Sequence, residues 1–152
     1  NRFSKNKNSK IIFEPGRFVV GNTAILITKI IYIKKSSRKN FIILDAGMNN
    51  LMRPALYNAH HHIIPVKKKG KFTGGSLKFV GPVCESSDKF SDQKKFSQIK
   101  EGDYLGLANV GAYGMALSSN YNTRPTIGEI IVSGSKHKVI RKRQSLEDLI
   151  NN

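Results

Sequence analysis

The stretch that decides the fold class is RFVVGNTAILITKIIYIKKS, residues 17–36. Val, Ile, Thr and Tyr dominate it and polar residues enter at intervals, a composition typical of one long strand or a bent pair of strands. On the same grounds, further strands are predicted in KNFIILDAG (39–47), in GDYLGLANVGAYG (102–114) and, as two short strands around Gly134, in PTIGEIIVSGSKHKVIRKR (125–143). The segment HIIPVKKKGKFTGGSLKFVGPV (62–83) is typical of a hairpin with a basic, Gly-rich connection.

Helical periodicity is scarce along the chain. NLMRPALYNA (50–59) can form a turn or two of helix around Pro54, and SLEDLI (145–150) has Ser145 as an N-cap followed by acidic residues. The sequence therefore predicts a mainly β domain, an antiparallel β-barrel or sandwich with one or two short helices.

Composition limits the function classes. At 152 residues the chain has the size of one domain, and its net charge of +16 raises the question of nucleic-acid binding. The lysines are scattered and lack interleaved aromatic residues, so a solvated basic surface is the favoured reading, without nucleic acid. No apolar run is long enough to span a bilayer, and a single Cys excludes an internal disulfide. We expect a cytoplasmic protein without a membrane segment, and a chain that does not begin with Met suggests a piece of a longer one.

Five polar segments end or interrupt the predicted strands, which is where β folds place binding groups. They are EPGR (14–17), DAGMNNLMRPALY (45–57), GPVCESSD (81–88), GAYG (111–114) and YNTRP (121–125). The first is expected to be a tight turn between two strands, for which Pro15 and Gly16 suffice. The flanking charges of Glu14 and Arg17 are left without a structural reason.

Each segment alone is ambiguous. Cys84 fits either a small buried hydrophobe or a reactive thiol, and Tyr113 fits either the core or a site that bracketing glycines leave open. Arg53 and Tyr57 lie four residues apart, so on a helix they form either a grip for a carboxylate or a surface pair. Three consecutive histidines, residues 60–62, point in divergent directions and have no further ligand at metal-binding spacing, so no metal site is predicted.

Taken together and in this order, the motifs FEPGRFVVGNTAILIT, FIILDAGMNNLMRPALYNA, GPVCESSD, GDYLGLANVGAYGMALSSNYNTRP and IRKRQSLEDLI resemble the C-terminal part of the pyridoxal-phosphate-dependent ornithine/diaminopimelate/arginine decarboxylases. The likeness covers nearly the whole chain from Ile12 onward. Members of this family pair an N-terminal (β/α)8-type barrel, which carries the cofactor lysine, with a C-terminal β-domain similar to that of alanine racemases. The resemblance implies that residues 12–152 are this β-domain, that residues 1–11 are a linker or frayed end, and that the barrel is absent from this chain.

The resemblance also implies a role for the charged corner. Glu14 would face the pyridine nitrogen of pyridoxal 5'-phosphate and keep it protonated. Gly16 and Arg17 would lie beside the cofactor phosphate, and Arg17 would contact substrate as well. Tyr113 would touch both the phosphate and the substrate. None of the lysines lies in a context that resembles the cofactor lysine of the family.

Substrate roles carry over in the same way. Arg53 and Tyr57 match the pair that binds the distal carboxylate of the substrate, and Glu85 matches the residue that meets its distal ammonium. Cys84 matches the residue that returns a proton to Cα after decarboxylation. In this family Cys84 and Glu85 reach the active site of the partner subunit, which implies a homodimer with a shared site.

The implied reaction is the conversion of meso-2,6-diaminopimelate to L-lysine and CO2. Ornithine or arginine decarboxylation is the sibling alternative, but ornithine ends in a bare ammonium that Arg53 would repel. An alternative from a different class is a non-catalytic basic β-module left from a truncated gene. The intact polar residues of all the matched motifs argue against that reading. Without the barrel, the chain is not expected to complete the reaction alone.

Overall fold

A computed structural model of the chain describes residues 10–67, 70 and 72–151. Most of the expected linker at residues 1–11 therefore lies outside the described residues, as do residues 68, 69 and 71 of the basic connection. The helices and strands are α1 (Arg17–Val20), β1 (Ile25–Lys34), β2 (Asn40–Leu44), α2 (Arg53–Tyr57), β3 (Ile63–Pro65), β4 (Phe72–Val80), β5 (Lys89–Ser97), β6 (Tyr104–Ala108), β7 (Glu129–Ser133), β8 (Lys136–Arg141) and α3 (Leu146–Ile150). Short 3-10 turns occupy Gly21–Thr23, Met115–Leu117 and Tyr121–Thr123.

The fold is built around β1. Strands follow the order β3-β6-β1-β2-β4-β5 in one barrel-like sheet, in which β2 and β4 are parallel and the other pairs antiparallel. Strands β7 and β8 form a separate antiparallel ribbon. The mainly β fold class with short helices is confirmed. None of the helices in the described ranges is both long and apolar enough to cross a membrane.

The core lies on one face of this sheet. Along β1 the inward positions are Leu26, Thr28 and Ile30, which alternate with exposed residues as the period of a strand requires. Opposite them lie apolar side chains from the neighbouring strands, all fully or almost fully buried: Ile42, Leu44, Leu77, Phe79, Phe90, Phe96, Leu105 and Leu107. The rings of Phe79 and Phe96 meet edge to face with their centroids 5.0 Å apart.

Several predicted elements are confirmed: β2, β6, the β7–β8 pair and the helices α2 and α3. Ser145 caps α3 as expected, because its Oγ accepts from the Asp148 amide at 3.1 Å and the Asp148 carboxylate accepts from the Ser145 amide at 2.7 Å. This reciprocal arrangement is a capping box.

The prediction of strands around the Pro15–Gly16 corner is wrong. Residues 10–16 have no regular structure, and residues 17–23 form α1 and a 3-10 turn, so that α1 is a third short helix beyond the expected two. The ladder between β1 and β6 ends where Ile25 pairs with Ala108, since Asn109 takes a left-handed conformation with φ 62°. Residues before Ile25 therefore have no strand to pair with, and their β propensity is overridden.

The hairpin pairing predicted for residues 62–83 is also wrong, although a strand, β4, does occupy most of the second strand expected at residues 77–83. Strand β3 pairs with β6, whereas β4 pairs with β2 and β5. Strand β5 was not predicted, because its sequence KFSDQKKFS is mostly polar and only Phe90 and Phe96 are buried. It lies at the edge of the sheet, where charged residues are usual since they discourage pairing with other chains.

Candidate functional site

The loop after β6 is docked onto the segment that precedes β1. The amide of Val110 donates to the Ala24 carbonyl and the amide of Gly111 to the Gly21 carbonyl, each at 3.1 Å. A Cβ at position 111 would collide with the carbonyl oxygen of Val20 and lie 2.6 Å from Thr23 Oγ1. Only glycine allows this approach, so GAYG owes its first glycine to the packing of two backbones.

Two side chains anchor the same loop from the other side. Arg17 Nη2 donates to the Asn109 carbonyl at 3.1 Å, and His61 Nδ1 donates to the Ala108 carbonyl at 2.9 Å. Two successive carbonyls at the end of β6 are thus held. Asn109 and Tyr113 both have positive φ, 62° and 63°, which turns the loop back toward the Pro15–Gly16 corner.

Four of the predicted site residues meet at this corner. Tyr113 is half exposed, and its hydroxyl lies 3.8 Å from where a Cβ of Gly16 would be. The guanidinium carbon of Arg53 lies 6.0 Å from the centre of the Tyr113 ring, at the outer limit of a cation–π contact. Arg17 belongs to the same group because it anchors, through the Asn109 carbonyl, the loop that carries Tyr113. We call Gly16, Arg17, Arg53 and Tyr113 the arginine–tyrosine cluster.

The cluster is cationic and incompletely satisfied. Within the part of the chain that the structure describes, neither arginine has an acidic partner within ion-pair distance. Arg17 Nε is buried and has no hydrogen-bond partner there. Buried polar atoms without a partner are uncommon in folded proteins, and this one is a donor that an anion would satisfy.

His61 lies beneath the cluster as a neutral imidazole. It is fully buried, and burial lowers its pKa, an effect to which the positive charges of Arg53 and Arg17 add. Because a carbonyl can only accept, Nδ1 carries the proton, which leaves Nε2 as an acceptor. Nε2 is buried without a partner among the described residues. The sequence did not predict a role for His61, because divergent directions of three consecutive residues imply that one points inward without saying which.

Arg53 and Tyr57, the predicted substrate-binding pair, both lie on α2, as expected. Arg53 and Tyr57 are the first and last residues of this helix, so they lie one turn apart. Pro54 is buried and fixes the first turn, and Asn58 ends the helix in a left-handed conformation with φ 52°. Tyr57 is 62% exposed, so its hydroxyl is free to reach a molecule outside the chain.

Cys84 and Glu85 lie apart from the cluster, in the loop between β4 and β5, and both are exposed. Glu85 accepts from the Ser87 amide and the Ser86 hydroxyl, each at 3.3 Å, and these hydrogen bonds lower its pKa. In the described ranges no hydrogen bond or ion pair joins this loop to the cluster. Glu14 is likewise exposed and has no such partner among the described residues.

A shallow cavity of about 420 Å³ elsewhere on the surface contains none of the predicted residues. Met115, Ala116, Ser118, Thr126, Glu129 and Arg141 line it.

Comparison with known proteins shows what family this arrangement belongs to. The sequence model of the family described as "Pyridoxal-dependent decarboxylase, C-terminal sheet domain" matches residues 17–111. The diaminopimelate decarboxylase of Aquifex aeolicus is 44% identical over 146 residues, which is 96% of this chain and 34% of that protein. The enzyme of the same name from Zymomonas mobilis is 44% identical over 149 residues, 98% of this chain and 35% of that protein. The chain thus spans about one third of the length of these relatives.

Solved structures agree with the sequence matches. The crystal structure of diaminopimelate decarboxylase from Helicobacter pylori complexed with L-lysine has a TM-score of 0.82 at 43% identity, and the match covers 91% of this chain and 34% of that one. The enzyme from M. jannaschii in co-complex with L-lysine gives 0.84 at 39% identity, over 90% of this chain and 31% of that one. A lysine/ornithine decarboxylase from Vibrio vulnificus gives 0.62 at 21% identity, over 72% of this chain and 30% of that one, and shares the fold alone. Since the family model covers more than half of the chain, the chain belongs to the pyridoxal-dependent decarboxylases and corresponds to their C-terminal sheet domain.

Proposed function

We propose that the chain is the C-terminal part of a cytoplasmic, pyridoxal-phosphate-dependent diaminopimelate decarboxylase, which converts meso-2,6-diaminopimelate to L-lysine and CO2. Residues 12–152 form its β-domain. The observation that carries this proposal is the arginine–tyrosine cluster, in which two guanidinium groups that have no acidic partner among the described residues lie near one tyrosine. Relatives named diaminopimelate decarboxylase, and structures of such enzymes complexed with L-lysine, support it.

The residues present fit the phosphate of the cofactor. Arg17 Nε, which has no partner in the part of the chain that the structure describes, and the hydroxyl of Tyr113 supply donors, and Gly16 has no side chain to cover that hydroxyl. The exposed carboxylate of Glu14 would hold a proton on the pyridine nitrogen of the bound cofactor. Pyridoxal phosphate supplies an electron sink for the pair left behind when CO2 departs. No lysine of this chain is assigned to hold the cofactor, so the isolated chain is expected to be inactive.

The substrate is held at both of its ends. Arg53 and Tyr57 bind the distal carboxylate. Arg53 lies beside Tyr113, so the residues that bind the distal carboxylate adjoin those that contact the cofactor. Glu85 binds the distal ammonium, and the hydrogen bonds from Ser86 and Ser87 that lower its pKa orient its carboxylate. Arg17 and Tyr113 contact the substrate where it meets the cofactor.

Cys84 delivers the proton to Cα after CO2 has left. A thiol can do this when its pKa is near the working pH, and its exposure gives it access to another molecule. We assign Cys84 and Glu85 to the active site of the partner subunit in a homodimer, which the exposure of both side chains permits.

The test uses the full-length protein that carries this chain, loaded with pyridoxal phosphate, and measures CO2 and L-lysine from meso-diaminopimelate, with L-ornithine as the competing substrate. Arg53→Ala should raise KM for diaminopimelate roughly ten- to hundredfold, as expected for loss of a charge-assisted hydrogen bond, and leave the weak response to ornithine unchanged. Arg38→Ala, at an exposed arginine between β1 and β2, is the matched control.

Two outcomes would contradict the proposal. If the full-length protein released CO2 faster from ornithine than from diaminopimelate, the substrate assignment would be wrong. If Arg53→Ala impaired turnover of both substrates equally, Arg53 would not bind the distal carboxylate.

Replacing Cys84 with Ala should lower kcat while substrate binding stays intact. An unchanged kcat would show that Cys84 is not the proton donor.

A further inference from the structure

Asp88 is a buried carboxylate that none of the roles above uses. Only 4% of it is exposed, and in the described residues it forms no ion pair. Instead, Oδ1 accepts from the Met48 amide at 2.7 Å and Oδ2 accepts from the Val83 amide at 2.8 Å. Each oxygen therefore holds the backbone of a different loop, and both bonds are short for an amide donor.

The loop that carries Cys84 is closed around this carboxylate. The amide of Gly81 donates to the Asp88 carbonyl and the amide of Asp88 to the Glu85 carbonyl, both at 3.0 Å. A Cβ on Gly81 would collide with the Asp88 carboxylate, so the carboxylate fills the space that the missing side chain leaves. Residues 81–88 are thus wound around one side chain.

The other loop leads directly to Arg53. Its turn is closed by the Gly47 amide, which donates to Asn50 Oδ1 at 3.0 Å. The two loops also touch beyond the carboxylate, because a Cβ on Gly47 would lie 3.0 Å from Val83 Cγ2. Three residues after Asn50, α2 begins with Arg53.

A carboxylate is the only side chain that suits this position. Both partners are N–H donors, so both side-chain oxygens must accept, and an amide in place of the carboxylate would point its NH2 at one of the donors. Burial raises the pKa of Asp88, whereas its two amide donors and the positive charge of Arg124 oppose that rise. The cost of burying the Asp88 carboxylate is therefore offset by its hydrogen bonds to two loops, which share it as an acceptor.

We propose that Asp88 is a positioning residue that fixes the Cys84–Glu85 loop against the segment leading to Arg53. The inference rests on the proposed function only for the roles of Cys84, Glu85 and Arg53; the clamp itself is a property of the chain. Through it, the thiol and the distal-ammonium ligand are set at a constant position relative to α2.

The first experiment measures amide hydrogen exchange by NMR in the chain itself. Met48 and Val83 lie in loops, yet their amides should exchange far more slowly than the Ser87 amide, whose acceptor is the exposed Glu85. Asp88→Asn should speed exchange at both positions roughly ten- to hundredfold, the population change expected when hydrogen bonds to a charged group are lost. Asp92→Asn, at an exposed aspartate on the adjoining strand β5, is the matched control and should leave both amides protected.

A second readout uses the single cysteine of the chain. A spin label on Cys84 should become more mobile in Asp88→Asn and also in Gly81→Ala, which presses on the clamp from the opposite side. In the full-length enzyme, the same variants should lower kcat while cofactor absorbance stays unchanged.

Fast exchange of Met48 and Val83 in the unsubstituted chain would overturn the clamp without any variant having to fold. Unchanged label mobility in both variants would overturn the positioning role. Failure of the proposed function would appear separately, as no turnover of diaminopimelate by the unsubstituted full-length enzyme.

Discussion

Replacing Gly111 with Ala is expected to destabilise the chain through one identifiable contact. The added Cβ collides with the carbonyl oxygen of Val20 and crowds Thr23 Oγ1 at 2.6 Å, and the first of these is backbone that cannot rotate away. Gly111 has no left-handed φ, so the cost is purely steric. Forcing the methyl into place costs about 1–3 kcal/mol, as other overpacked positions do. Lifting the loop instead loses the two hydrogen bonds of Val110 and Gly111, at about 1 kcal/mol each.

Both routes give a loss of about 2 kcal/mol in the free energy of unfolding. For a chain of this size that is a fall in Tm of roughly 4–8 °C, measurable by circular dichroism. Gly70→Ala is the matched control, because a Cβ there has nothing within 4 Å. If Gly111→Ala unfolded within about 0.5 kcal/mol of the control, a difference usual for neutral surface changes, the docking of the loop after β6 onto the segment before β1 would be wrong.

Two further predictions concern the polar residues that anchor this loop. Because burial lowers the pKa of His61, the unfolded chain binds a proton that the folded chain does not, so stability should be greatest above the ordinary histidine pKa and fall as the pH drops through the lowered one. Denaturant unfolding should show His61→Gln losing this acid sensitivity, whereas His137→Gln, at an exposed site, should keep it; parallel curves for all three proteins would contradict the assignment. Arg17→Lys removes the forked donor that reaches Asn109 and should weaken pyridoxal phosphate binding by the full-length enzyme roughly tenfold, and equal affinity would remove Arg17 from the phosphate site.

Sequence reasoning succeeded where local chemistry decides the structure. Strands β2 and β6 are apolar runs that end at polar residues. Helix α3 is capped by Ser145 and Asp148, which lie at the spacing of a capping box in the sequence. It failed where pairing partners decide. The Val-rich residues 17–20 became helical because β6 stops at Ala108, and β5 joined the sheet despite its charges since it lies at an edge.

The same division applies to the site. The residues of the arginine–tyrosine cluster could be named from motifs, because their residue types carry the chemistry. The residues that hold them in place could not, since a neutral histidine below the cluster and an aspartate between two loops look like ordinary polar residues in the sequence. Only the burial of His61 and Asp88 and the identity of their backbone partners reveal their positions.

Two contacts therefore hold the chain's proposed catalytic groups: the docking of the loop after β6 at Gly111, and the Asp88 clamp. Whether they act independently can be tested. Gly111→Ala acts on the loop after β6, Asp88→Asn acts on the loop between β4 and β5, and within the described residues the two contacts share no hydrogen-bond partner. Their effects on the free energy of unfolding should add within about 0.5 kcal/mol. By contrast, Gly81→Ala and Asp88→Asn disturb one contact and should fall well short of additivity. Coupling between the first pair would have two routes in the described residues. Arg53 adjoins Tyr113 and follows the segment held by Asp88, and the Ser119 amide donates to the Asn49 carbonyl of that segment at 2.9 Å. Non-additivity of Gly111→Ala and Asp88→Asn would therefore mean that these contacts transmit strain between the two loops.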